Sequence, residues 1–298
     1  MSFKSCVSDG LGEIYTVRLR QPTRAYRLSS CVVSDKMNIL HNPGAEETSM
    51  TTAVTPTRSI QIVDRSSMIT KLNEGVTIRP RETAIVTIDM HRGHLDMEVA
   101  TMAAKPDDAK RVIAKAKEIL DFARTKGVPI IHVKLVFRKI PGIGSEGMTQ
   151  PFWHTLHEMV TEEDRLTPGR RSTVDGHNIR GSRGTEIIPE LLAETDYVID
   201  NKKRLDCFHG TDLKTLLEIL NVKNVILMGI NTNTCVLNTA FTAFNHDYCV
   251  VVASDCVASM YGDDLHVLGL QNVARCLGWV LSNEDIKAKL EQGAARND

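Results

Sequence analysis

Asp89, Lys202 and Cys235 each stand just past an apolar run of this 298-residue chain. A thiol, a carboxylate that can take its proton and a cation that can hold negative charge are the parts needed for covalent attack on a carbonyl carbon. Cys235 follows the apolar run 222–228 and the loop Gly229-Ile230-Asn231-Thr232-Asn233-Thr234. After it, Val236, Leu237, Ala240, Phe241 and Phe244 recur at three- and four-residue steps, which predicts a helix. A thiol at a helix N-terminus meets unpaired N–H groups and the positive end of the dipole, which favour thiolate. A free cysteine titrates at about 8.5, and lowering it by two units takes about 2.7 kcal/mol. A helix terminus supplies only about 0.3 to 1 kcal/mol, so a nucleophilic Cys235 needs a cation and a base from elsewhere in the chain.

The elements that must bring them follow an alternating order. Residues 84–88 form a continuous apolar run suited to a strand buried on both faces. Helical spacing covers 106–126, closed by Gly127, and 129–133 is a second strand. Segment 138–182, rich in Gly, Arg and His, reads as a long loop or lid with a short helix near 152–160. The pattern then predicts helix 186–192, strand 197–199, helix 212–220, strand 222–228, helix 234–245, strand 248–253, helix 266–275, a short apolar 277–281 and a terminal helix from Ser282. Strict alternation implies an α/β fold with a parallel sheet covered on both faces. In such sheets ligands bind at the carboxyl ends of strands, so Asp89, Lys202 and Cys235 are expected on one rim. Taken singly, each has a plainer role: a turn cap, a solvated charge, a packing residue.

Composition bounds the partners. Lys plus Arg (36) nearly balances Asp plus Glu (37), which argues against a nucleic-acid surface and against electrostatic docking to a membrane. Seven cysteines without a CxxC pair, and no run of 18 apolar residues, read as reduced thiols in a cytoplasmic protein. Residues 1–75 read as an N-terminal extension, disordered to about 57, with a short strand possible near 60–63; residues 76–298 read as the catalytic domain. Met50 followed by Thr51-Thr52-Ala53 resembles an ordinary chain start, which leaves open whether 1–49 belong to the functional protein.

Three blocks together resemble the isochorismatase-like cysteine hydrolases: Ala84 to Met90, Lys202-Lys203-Arg204-Leu205-Asp206-Cys207-Phe208, and Gly229 through Val236 with Thr239-Ala240. The resemblance spans about 78–290. It implies a three-layer α-β-α fold with a mostly parallel six-stranded sheet, a triad of Asp89, Lys202 and Cys235, and a cis peptide before Asn231. It also implies an oxyanion hole from the backbone N–H groups of Asn231 and Cys235, and a homo-oligomer, dimer or tetramer. Lys202 is preferred over Lys203 and Lys134 by its six-residue spacing from Phe208. The expected reaction is hydrolysis of a C–N bond in a small amide, ureide or carbamoyl compound, with no cofactor. The vinyl-ether hydrolase branch, which works without the cysteine, and a non-catalytic binding role are the alternatives.

Where family members often carry Gln-Asn-Asp-Phe, this chain has His91-Arg92-Gly93-His94; with His209, His91, Arg92 and His94 are the candidate substrate contacts. The nicotinamidase metal pair is absent, since the region after the second strand reads Lys134-Leu135-Val136-Phe137-Arg138. No metal is expected, although His91/His94 and His154/His157 have helical ligand spacing. Arg170-Arg171 and Arg180/Arg183 could clamp a carboxylate, and a solvated loop is the plainer reading.

Overall fold

The computed structural model describes residues 63–159 and 176–295. Expectations for 1–57, for most of 60–63 and for Arg170-Arg171 lie outside that range. Elements run α1 (Ser66–Gly75), β1 (Thr83–Ile88), α2 (Arg92–Leu95), α3 (Pro106–Thr125), β2 (Ile130–Leu135), β3 (Lys139–Ile140), β4 (Gly144–Ser145) and α4 (Pro151–Met159). They continue as β5 (Tyr197–Lys202), α5 (Leu213–Ile219), β6 (Asn224–Ile230), α6 (Leu237–Asn245), β7 (Cys249–Ala258), α7 (Asp263–Asn272), β8 (Trp279–Leu281) and α8 (Asn283–Ala295).

Six strands form one sheet in the order β5-β2-β1-β6-β7-β8, every pairing parallel. Alternate residues feed opposite faces, as the pleat requires. Ile85, Ile130, Ile226 and Val251 face α3 (Val112, Ala116, Ile119, Leu120) and α8 (Ile286, Leu290). Val86, Ile131, Val225 and Val250 face α5 (Leu213, Leu217) and α6 (Ala240, Ala243). Chain order reverses between β1 and β6, which are paired from Thr83↔Asn224 to Ile88↔Gly229. That is the point where open α/β sheets leave a crevice beyond the strand ends. Gly229 permits the close approach: its φ is +126°, and a Cβ there would lie 2.0 Å from the Ile88 carbonyl oxygen.

Several elements depart from expectation. Segment 186–192 is not an α-helix but extended chain with one short 3-10 turn, Pro189–Leu191, and a second such turn, Arg183–Thr185, precedes it. Its backbone is taken instead by the chain leaving β1, through Arg92 N–H to Glu186 O at 2.8 Å and Ile188 N–H to Met90 O at 3.2 Å. Pro189 has no N–H to sustain a helix. Segment 138–182 carries the expected short helix, α4, and adds the β3–β4 hairpin. The polar stretch after Val63 folds as α1, which Trp279 and Asn73 tie to the β8 edge through bonds to Leu72 O and Val280 O.

Candidate active site

Asp89, the first residue past β1, is fully buried and left-handed, with φ of 54°. Asp tolerates that region better than most residues, and neighbouring bonds hold it there. Its N–H donates to Val133 O at 2.8 Å, and its Oδ1 accepts from the Leu135 N–H at 2.7 Å. Oδ2 accepts from Lys202 Nζ at 2.6 Å.

Lys202 is the last residue of β5 rather than a residue beyond it. Pairing with β2 runs Val133↔Ile199 and then Leu135↔Lys202, so β5 carries one extra residue at this point. A bulge re-aims the side chain that follows it, and Lys202 turns inward to zero exposure while Asp200 and Asn201 stay exposed. Without that residue Asn201 would stand opposite Leu135. The two rival lysines go elsewhere: Lys203 Nζ bonds Val136 O and lies 3.4 Å from Glu146, and Lys134 Nζ donates to Thr185 O at 3.0 Å.

Lys202 Nζ also lies 3.3 Å from Cys235 Sγ. Cys235 sits in a π-helical turn, Thr232–Val236, ahead of α6. The Ile230–Asn231 peptide is cis, and Asn231 Oδ1 accepts from the Met260 N–H at 2.9 Å. Burial would lower the Lys202 pKa, but the charge and hydrogen bond of Asp89 outweigh it and hold the ammonium above its ordinary value. Cys235 behaves contrary to the expectation of a depressed pKa. Burial pushes its thiol up to about 12 despite the Lys202 charge. The dipole and the cation act against the loss of water and against Asp89, whose own charge opposes a second anion beside it.

The four residues expected to contact substrate separate. His91 and His94 are buried beside Asp89, with His91 Nε2 4.0 Å from Asp89 Oδ1. Arg92 is bound to Asp96 and Glu186. His209 is exposed and lines a cavity of about 450 Å³. His177 and Asn178, which no sequence motif marks, complete the histidine cluster. His94 stacks on His91 at 4.9 Å between centroids and lies 4.8 Å from His177. The Asn178 side-chain amide bridges His91 Nε2 at 3.1 Å and His177 Nε2 at 2.9 Å. Contacts across 87 residues leave no local pattern to read. A Cβ on Gly93 would lie 2.2 Å from Asn178 Oδ1, so a glycine there is what lets the bridge close. Among the described residues no group of three His, Cys, Asp or Glu side chains is arranged to hold a metal ion. His154 is exposed, and the His157 side chain is outside the described residues.

Burial, with the neighbouring His94 charge next, holds His91 well below its ordinary 6.5. Burial likewise holds His177 well below 6.5 and lowers His94. A depressed folded pKa stabilises the fold above the unfolded value, and that stability is lost as pH falls, because the unfolded chain then binds the extra protons. Each such imidazole gives a slope approaching about 1.4 kcal/mol per pH unit below about 6.5. Urea unfolding should therefore show stability falling steeply between about pH 6.5 and 5; a flat profile would mean the cluster protonates in place.

The chain belongs to the isochorismatase family, whose domain model matches residues 83–285. It is 27% identical over 232 residues to a ureidoacrylate amidohydrolase, RutB, of Agrobacterium fabrum, covering 76% of this chain and 97% of that one. A second RutB, of Rhizobium rhizogenes, is 27% identical over 228 residues, covering 74% and 88%. Among solved structures, a cysteine hydrolase from Pseudomonas syringae pv. phaseolicola shares the fold at TM-score 0.58 and 22% identity, over 73% of this chain and 96% of that one. An N-carbamoylsarcosine amidase from Thermoplasma acidophilum does so at 0.50 and 22%, over 68% and 97%. Among the described residues no helix is long and apolar enough to cross a membrane.

Proposed function

We propose that this protein is a cysteine hydrolase of small amides or ureides, with Cys235 as nucleophile, Asp89 as proton carrier and Lys202 as the cation that balances them. The observation that carries the reading is the buried contact set of one ammonium with Asp89 Oδ2 at 2.6 Å and Cys235 Sγ at 3.3 Å, at the crevice of the sheet. The substrate class is carried over from the ureidoacrylate amidohydrolases it resembles along most of its length.

Because burial keeps the resting thiol protonated, proton transfer to Asp89 accompanies attack rather than preceding it. The S–H bond breaks as the S–C bond forms, and the carbonyl oxygen gains the charge that the Asn231 and Cys235 N–H groups receive. Asp89 returns the proton to the departing nitrogen, the C–N bond breaks and a thioester remains. Water, deprotonated by Asp89, clears the thioester and restores the thiol. Lys202 stays charged throughout and keeps each anionic stage paired.

The test is ammonium release from a panel of ureido acids, carbamoyl amino acids and simple amides. Release with a hydroxylamine-trappable acyl-enzyme is expected. Hydrolysis without any trappable acyl group, by a protein whose Cys235 is alkylated, would refute the nucleophile.

A further inference from the structure

Asp89, Lys202 and Cys235 do not themselves line the cavity of about 450 Å³, but residues bonded to them or close to them in the chain do. Leu135, whose N–H holds Asp89, lines it; so do Lys203 and Arg204, which follow Lys202, and Asn238, three residues past Cys235. Its volume suits a small ligand. Its charges are not equally available. Lys203 is taken by Val136 O and Glu146. Asp206 is turned into the fold, its Oδ1 accepting from the Phe208 N–H at 2.9 Å and its Oδ2 from the Thr242 hydroxyl at 2.9 Å.

Arg204 differs. It is half-buried and forms no ion pair with a carboxylate among the described residues. It is nevertheless held in place: NH1 donates to Lys203 O at 2.8 Å. With the Gln150 amide carbonyl facing it, Nε and NH2 donate to that oxygen at 2.9 and 3.0 Å. A guanidinium carries five N–H donors, and these three bonds leave one on each terminal nitrogen. A fixed cation with two spare donors, one on either tip, matches the two oxygens of a carboxylate. Trp153 supplies an apolar wall to the same cavity.

We propose that Arg204 anchors a substrate carboxylate, which makes acidic ureides or amides the substrates and neutral ones poor. The anchor rests on the hydrolase reading for what happens at the far end of the ligand, and on the cavity alone for binding. Arg204 is two residues from Lys202, so their Cα atoms are at most about 7 Å apart. That separation is on the scale of one small molecule carrying both a carboxylate and a scissile carbonyl.

The direct test is calorimetric binding to the full-length Cys235→Ala protein, comparing glutarate with its uncharged diamide. Tighter binding of glutarate is expected, with the preference falling about 10- to 100-fold in Arg204→Met, the range for a charged hydrogen-bonded contact. Arg204→Lys should keep part of it, since the charge survives and the fork does not. Equal binding of the two ligands, or a preference that survives in Arg204→Met, overturns the anchor. A second readout is ammonium release by the wild type from 3-ureidopropionate and its methyl ester. Release at equal rates from both refutes the anchor and leaves the hydrolase reading standing. A glutarate preference lost in Arg204→Met, with no ammonium from any substrate, supports the anchor and refutes the hydrolase.

Discussion

Replacing Cys235 by alanine should lower ammonium release about a million-fold, the scale seen when a covalent nucleophile is removed. Circular dichroism should be unchanged, because the substitution deletes one buried sulfur atom and leaves the Asp89–Lys202 pair intact. The loss should appear in kcat, since the sulfur acts on the reacting carbon. Serine should be nearly as inactive, its hydroxyl being a poorer nucleophile at this pH. The raised thiol pKa adds a signature in the wild type. Alkylation of Cys235 should be slow near neutral pH and should accelerate as pH rises towards 12. The sign for stability is the reverse of the histidine case. A folded pKa above the ordinary thiol value of about 8.5 gives stability that is complete below that pH and lost as pH climbs. Activity retained by Cys235→Ala would move the chemistry to another group.

Lys202→Met should have the largest effect on stability. Asp89 and Lys202 both have zero side-chain exposure, and removing one partner of a buried pair costs about 3–5 kcal/mol because the other charge is stranded. For a domain of this size that corresponds to a melting temperature about 6–20 °C lower. The double variant Asp89→Asn, Lys202→Met removes both charges and should recover much of the loss, while remaining inactive. Thermal melts of the two variants decide the matter. A single variant as stable as wild type would show that water reaches the pair, and a double variant no better than the single would show that packing, not charge, sets the loss.

Several parts of this architecture were legible in the residues. The run 84–88 is apolar at every position except Thr87, and only a strand covered on both faces tolerates that. The alternation of such runs with helical spacing then implied a parallel sheet and one functional rim. Cys235, after a strand and before a helical pattern, was found by position, as was Asp89. The terminal strand β8, three residues long, and the helix α1, with no buried residue of its own, carried too weak a period to be read reliably.

The chemistry of the site depends on facts that have no local signature. The extra residue in β5 that turns Lys202 inward is visible only in the pairing with β2. His177 and Asn178 reach the neighbourhood of Asp89 from a segment read as loop, through bonds to side chains 76 and 87 residues away. The thiol was expected to ionise easily because helix dipole and lysine were counted; burial was not, and burial is a property of the closed fold. The sequence by itself therefore determined the residue types, the succession of the main strands and of the helices other than 186–192, and the rim on which Asp89, Lys202 and Cys235 stand, because periodicity and strand ends are local properties. Spacing had already singled out Lys202; tertiary structure alone decided how that lysine is turned to the sulfur and how dry the thiol is, because register, burial and pairing are set by contacts between residues far apart in the chain.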